Sequence, residues 1–541
     1  MGRMLFYRVY VVQVRLQAPS DCLPADLHLH PVVACLSGVP SCVSSFPAQG
    51  AGLSPAVGPL LQPAVPVGLP PPAACPPSYE PSSPVCQVLP PPHWDLPADQ
   101  LMTMSRRDGT LLSRSGRWRQ RMRSAGACVA LWLAPACLLA ARPDARLDAV
   151  RRLLADAPLV DGHNDLPWNI RKFLKNQLRD FPFHEDLRAV PPWSHSAWSH
   201  TDLPRLRQGM VAAQFWSAYV PCSAQHLDAV TLVLEQVDVI RRLVERYPRD
   251  LALVTSARGI EEAHSAGVLA CLVGVEGGHA LGSSLAVLRG LHALGARYLT
   301  LTHACNTPWA DCSIVDEPGR IPILGGLSSF GKLVVREMNR LGVMVDVSHA
   351  SVPTMLDALR TSRAPVIFSH SAAHALCNSS RNVPDHVLRL LAVNGGIVMV
   401  AFYPHFVSCS ESASLQDVAA HIEHIRSVAG IDHVGLGAGY DGINITPLGL
   451  EDASRYPHLL AELMARGGWT EADLQKLAGR NLIRVFREAE RVRDQMAASG
   501  VQPLDERIPE EDVRGRTYCR MPDAAPTGCE LRRGARELPY G

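Results

Sequence analysis

Eight short apolar runs, rich in β-branched residues, recur between residues 157 and 439, and this repetition constrains the fold more than any other feature of the chain. They are APLVDGH (157–163), MVAAQFWSAYV (210–220), VLACLVGVE (268–276), RYLTLTH (297–303), GVMVDVSH (342–349), APVIFSH (364–370), GGIVMVAF (395–402) and HVGLGAG (433–439). Between them lie longer segments with helical spacing, among them AVTLVLEQVDVIRRLVERY, SLAVLRGLHALG, FGKLVVREMNRLG and VPTMLDALRTS. Three of these run into glycine or a turn, the chemistry that stops a helix. Continuously apolar strands alternating with helices belong to parallel sheets buried on both faces. Eight such units predict an α/β fold, a TIM-like (β/α)8 barrel, with a doubly wound sheet as the alternative. A last helix, TEADLQKLAGRNLIRVFREAERVRDQM, opens on a Thr470-x-x-Asp473 capping pattern. Beyond residue 497 the chain becomes polar and turn-rich.

In a barrel of this kind functional groups gather at the C-terminal rim. The first run ends in His163-Asn164-Asp165, the third in Glu276, the fourth in His303, the fifth in His349 and the sixth in His370. A single histidine after a strand is usually a hydrogen-bonded loop residue, and five converging groups are a different matter. Imidazoles and carboxylates without thiolates suit a hydrolytic zinc site with an open position. His163 and Asp165, two residues apart, point to one side of an extended segment and can share an ion. His349 and His370 would hold a second ion, with Glu276 as the bridging carboxylate. Two ions so placed acidify a shared water.

The last run continues as GLGAGYDG, and from Gly437 through Gly439 to Gly442 it matches the G-x-G-x-x-G pattern of a dinucleotide phosphate loop. That reading requires the loop to open a helix. The next residues, YDGINITPLGLEDASRYP, are rich in turn formers and have no helical period, so no nucleotide is expected.

Composition is that of a globular chain, 47% hydrophobic and 19% charged, and a net charge of +1 gives no electrostatic basis for a nucleic-acid partner. Residues 1–121 differ: Pro-rich runs such as LPPPAACPPSYEPSSP carry no sustained period, as in a disordered extension or one translated from too early a start. Residues 122–141 have the layout of a secretory signal, a basic flank, an apolar run from Ala125 to Ala141 and small residues near a cleavage site at 140–142. The metallohydrolase domain is expected over 147–497, with a tail over 498–541. A secreted chain can oxidise its cysteines, but spacing leaves the connectivity of Cys222, Cys271, Cys305, Cys312, Cys377, Cys409, Cys519 and Cys529 open. Asn378-Ser379-Ser380 and Asn444-Ile445-Thr446 are candidate glycosylation sequons. The tail CELRRGARELPYG holds no hydrophobic stretch of the sort a GPI-anchor signal needs.

The segments DGHNDLPW, GVEGGH, RYLTLTHACNTPWAD, APVIFSHSAA, NSSRNVPD and GLEDASRYPHLL resemble the membrane (renal-type) dipeptidases, nearest to the renal form, within the amidohydrolase-like metal hydrolases. The resemblance spans about 147 to 490. It implies a barrel with two zinc ions, one held by His163, Asp165 and Glu276, the other by Glu276, His349 and His370. It further implies that His303 contacts the scissile carbonyl and that Arg381 grips the free carboxylate of a dipeptide, a role suited to a guanidinium fork. Substrates would be dipeptides of the cysteinylglycine and leukotriene D4 class. Disulfides would join Cys222 to Cys305 and Cys377 to Cys409, and Cys519 would bridge a homodimer. Family members are extracellular or surface proteins carrying a GPI anchor.

One position departs from the family pattern. The eighth strand of such enzymes ends in G-G-D-[FY]-D-G, and here Gly439 replaces the first acid. The resemblance makes that acid the proton carrier between water and leaving amine, a role worth roughly 10²–10⁴ in rate. Asp441 is a candidate substitute, one strand rise of two residues further along. Two functions are open to such a chain: a zinc dipeptidase of reduced turnover, or a catalytically silent relative that binds metal and peptides or partners.

Overall fold

The computed structural model describes residues 143–514. The N-terminal extension, the secretory-type run and Cys519 lie outside the described residues. All eight apolar runs form parallel strands: β1 (Leu159–Asn164), β2 (Val211–Tyr219), β4 (Leu269–Glu276), β5 (Ala296–Thr300), β6 (Met344–Asp346), β7 (Val366–Ser371), β8 (Ile397–Val400) and β9 (Val434–Leu436). They pair in that order, and β9 returns to β1 through Asp161 and Leu436, closing an eight-stranded barrel. The doubly wound alternative, an open sheet, is thereby excluded. Closure removes the unpaired edges that an open sheet would leave.

A ninth strand, β3 (Leu251–Leu253), is not legible in the sequence. It pairs with the first half of β4, Leu251 to Leu269, while β5 pairs with the second half, Glu276 to Thr300. Its three residues, Leu251, Ala252 and Leu253, are too short a run to stand out, and only Leu251 is fully buried.

The strands alternate between two cores. Val160, Leu272, Tyr298, Ile367 and Met399 join one buried cluster with Leu482, Ile483 and Phe486 of the last helix. Their neighbours Leu159, Val273, Leu299, Phe368 and Val398 join the larger cluster shared with the surrounding helices. Burying each such side chain contributes about 1.5–3 kcal/mol, so alternation is firmly imposed on β1 and β7.

The helices expected between strands are present, for example Ala229–Arg246, Ser329–Leu341 and Val352–Thr361. Gly342, at φ 73°, ends the second of these in a left-handed cap. The final helix differs from expectation. Its capping box at Thr470 and Asp473 forms, but a π-helical turn, Lys476–Arg480, separates Glu471–Gln475 from Asn481–Ala498. Within that turn the chain packs closely: a Cβ at Gly479 would stand 2.2 Å from the Pro158 carbonyl oxygen just before β1. Disulfides join Cys222 to Cys305 and Cys377 to Cys409, while Cys271 and Cys312 are buried as thiols. Among the described residues no helix is long and apolar enough to cross a membrane.

Candidate metal centre

Strict alternation would turn two of the histidines away from the barrel. Val160 and Ile367 face the inner cluster, so His163 and His370, each three residues on, would face the helices. Both lie inside breaks of register, between Asp161 and Asn164 on β1 and between Phe368 and Ser371 on β7. A bulge of this kind re-aims a side chain, and both imidazoles enter the mouth. Their rings stack at 3.8 Å. Glu276 needs no such device: it ends β4 in the inward phase of Leu272.

His303 and His349 lie past their strands rather than at the ends, since β5 stops at Thr300 and β6 at Asp346. His349 sits at φ 64°, held there because its carbonyl accepts from the Ser313 amide at 2.7 Å and the Thr302 hydroxyl at 2.9 Å. Asp165 is not part of an extended segment. It stands at the N-terminus of the helix Leu166–Leu174 with φ −100° and ψ 15°, and its side chain makes no capping bond. That leaves the carboxylate free to face His163, with Oδ2 at 3.2 Å from Nε2. Gly442 makes room, because a Cβ there would meet Asp165 Oδ2 at 1.9 Å.

Glu276 is the hub. Its Oε1 lies 3.5 Å from His163 Nε2, 3.2 Å from His349 Nε2, 3.4 Å from His370 Nε2 and 3.8 Å from His303 Nε2. Its Oε2 accepts from Ser217 at 3.0 Å. Donor atoms of His163, Glu276 and His370 fall within 4.8 Å of one another, as do those of Glu276, His303 and His349.

Hydrogen bonds behind the histidines orient their lone pairs. Ser369 donates to Asp346 Oδ2 at 2.6 Å, so its oxygen accepts from His370 Nδ1 at 2.8 Å. Tyr298 donates to the Gly162 carbonyl and accepts from His163 Nδ1 at 3.0 Å. His370 therefore presents Nε2 as an acceptor toward the mouth, and His163 does so once its ring is neutral. His349 and His370 bring their Nε2 atoms to 3.0 Å. Such an arrangement fits a divalent ion with nitrogen and oxygen ligands.

The electrostatics agree. Burial, with Arg381 adding to it, pushes the pKa values of His349 and His370 well below the usual imidazole range, and burial takes His303 to about 4. Burial opposes the Glu276 carboxylate, yet the imidazoles of His163, His349 and His303 hold its pKa well below the usual value. His163 moves the other way: its contacts with Tyr298, Glu276 and Asp165 outweigh burial and raise its pKa. A cation entering among these carboxylates would release that proton.

Asp165, Glu276, His303, His349 and His370 line a cavity of about 380 Å³ together with Arg381, Gly439 and Asp441, while His163 lies behind its wall. Arg381 donates to the His370 carbonyl at 3.1 Å and to Ser371 Oγ at 3.3 Å, and its Nε is buried without a partner. Burial lowers its pKa only to about 10, so it remains a cation at neutral pH. Gly439 has φ 74°, and a Cβ there would meet only Ile443, at 4.0 Å. Asp441 accepts from Asn169 at 3.3 Å through Oδ1, while Oδ2 is buried without a partner. Burial raises its pKa to about 7. Sequence reasoning missed Trp168, Lys172, Trp198 and Tyr219, which also line this cavity. Trp198 lies in the long connection between β1 and β2, and no local signal marks its return over the rim. Asn378 and Asn444 are both exposed, and Asn444 accepts from Tyr403 at 3.2 Å.

Known proteins resemble this chain. Residues 147–500 match the model of the membrane dipeptidase family, peptidase family M19. Dipeptidase 3 of Mus musculus is 49% identical over 358 residues, covering 66% of this chain and 69% of its own length. Dipeptidase 3 of Homo sapiens is 48% identical over 357 residues, covering 66% and 70%. The crystal structure of a metallopeptidase from Rhodobacter sphaeroides, liganded with a phosphinate mimic of the dipeptide L-Ala-D-Ala, is 26% identical with a TM-score of 0.54, covering 62% of this chain and 99% of its own. With nine-tenths of the described residues inside one family match and the barrel closed as in its solved members, the chain belongs to the membrane dipeptidase family, and so to the metallodipeptidases.

Proposed function

We propose that this chain binds two zinc ions and hydrolyses dipeptides slowly, its turnover limited by the glycine at 439. The observation that carries the reading is Glu276 Oε1, within 3.2–3.8 Å of four imidazole nitrogens at one barrel mouth. His163, Asp165 and Glu276 would hold one ion, and Glu276, His349 and His370 the other. Bound there, the ions supply Lewis acidity to the scissile carbonyl and lower the pKa of water. Arg381 receives the dipeptide carboxylate, which would satisfy its orphaned Nε. His303, kept neutral by burial, donates to the carbonyl oxygen as charge develops. Asp441, titrating near neutrality, is the one remaining acid of the loop available to move a proton.

Gly439 favours the second reading, a silent relative that binds metal and peptide. Its Cβ direction is open, so the acid of the family pattern is missing rather than displaced. Measuring dipeptide hydrolysis at saturating zinc for the natural chain and for Gly439→Asp separates the two. The substitution is expected to raise kcat by about 10²-fold or more, against a backbone cost of about 1 kcal/mol for a left-handed residue. Equal rates in both proteins would refute the role assigned to position 439. No cleavage by either, with zinc bound, would leave the silent binder.

The two disulfides support an oxidising compartment, and with the run at 122–141 a secretory route to the cell surface. A Cys519-linked homodimer and glycans at Asn378 and Asn444 belong to the same reading. Cysteinylglycine and the leukotriene D4 class are the substrates to try first.

A further inference from the structure

Arg381 follows β7, whereas Lys172 lies on the helix that follows β1, three strands away around the closed barrel. Both side chains line the cavity of about 380 Å³. A dipeptide with its carboxylate on Arg381 and its scissile carbonyl at Glu276 would therefore direct its N-terminal residue toward the β1 side of the mouth. There the lining is Asp165, Trp168, Lys172 and Trp198.

Lys172 is conspicuous among its neighbours for lacking an ion-pair partner. Arg171 pairs with Glu235, and Arg242 pairs with Asp238 at 2.7 Å. Lys172 makes no ion pair within 4 Å among the described residues, and its Nζ rests over the Trp198 ring at 5.0 Å, with the carboxylates of Asp165 and Asp441 acting on it only from beyond ion-pair distance. A second cleft, of about 620 Å³, shares Trp168 and Lys172 as a wall and adds Lys175, whose amine also has no carboxylate within 4 Å among the described residues.

We propose that Lys172 is a specificity-determining residue, selecting dipeptides whose N-terminal residue carries an acidic side chain. The inference rests on the dipeptide-binding reading above. An exposed charge pair is worth about 0.2–1 kcal/mol, so the preference is about 1.4- to fivefold.

The test is equilibrium binding of phosphinate mimics of Glu-Ala, Ala-Ala and Lys-Ala to the zinc-loaded full chain, followed by the fluorescence of Trp168 and Trp198. The natural chain should bind the Glu mimic about 1.4- to fivefold tighter than the Ala mimic, and the Lys mimic more weakly. The Glu preference should shrink as salt is raised. Lys172→Ala should erase it and Lys172→Glu should invert it, both with unchanged zinc content. A Glu-to-Ala ratio that is the same in the natural chain and Lys172→Ala, or that is indifferent to salt, overturns the assignment. The Ala mimic monitors the underlying reading: if it fails to bind, or binds Arg381→Ala as well as the natural chain, the dipeptide reading falls and takes this inference with it.

Discussion

His200 illustrates how a single buried ring ties acid stability to the site loop. Its Nδ1 accepts from the Asp441 amide at 3.0 Å, so the native ring is neutral. Burial, reinforced by Arg205, lowers its pKa to about 4, while the unfolded chain titrates near 6.5. Above pH 6.5 the ring is neutral in both states and contributes nothing. Below it the unfolded chain takes up a proton that the native state refuses, so stability is lost as pH falls from about 6.5 to 4. At pH 4.5 the loss from this residue is about 2–3 kcal/mol. Denaturant unfolding at pH 7 and pH 4.5 should show His200→Asn, which keeps an acceptor, losing less stability than the natural chain by that amount. Equal losses would remove His200 from the account.

At the scale of elements, the Cys222–Cys305 bond ties the turn after β2 to the loop after β5 and lies against the site, with Cys222 Sγ 4.0 Å from His303 Nδ1. It closes a loop of 83 residues, for which loop-closure entropy gives up to about 4–5 kcal/mol. Replacing both cysteines by serine should lower the denaturation midpoint and weaken carbonyl-end binding at His303, while leaving the zinc content of the other ligands intact. Calorimetry with metal analysis reads both; loss of zinc without loss of stability would mean the bond serves the ligands rather than the loop. The strands themselves were legible because parallel strands buried on both faces read as continuous apolar runs. β3 was not, being three residues of an outer partner to β4, and neither was the π turn, which holds a close backbone contact at Gly479 that no local pattern records.

Across the whole molecule, the metal centre draws on β1, β4 and β7 and on the turns after β5 and β6, so filling it links distant parts of the barrel. A ligand that binds only the native state stabilises it by mass action, about 4 kcal/mol at a thousandfold excess over Kd. Removing zinc from the loaded chain with a chelator should lower Tm by about 5 °C or more, and adding zinc back should restore it. An unchanged Tm in protein shown to be metal-free would count against metal binding at this mouth.

By itself the sequence determined the eight barrel strands, the sequence positions of the five candidate ligands and His303, and the missing acid at 439, because burial and residue type are written locally. Two things were decided only by the tertiary structure. His163 and His370 fall in the outward phase of their strands, and only the register breaks on β1 and β7 turn them inward. Lys172 and Trp198 meet Arg381 across one cavity because the barrel closes and a long connection folds back over its rim. Periodicity reports which face a residue takes in an unbroken strand; it carries no record of where a strand slips, nor of what closure brings opposite.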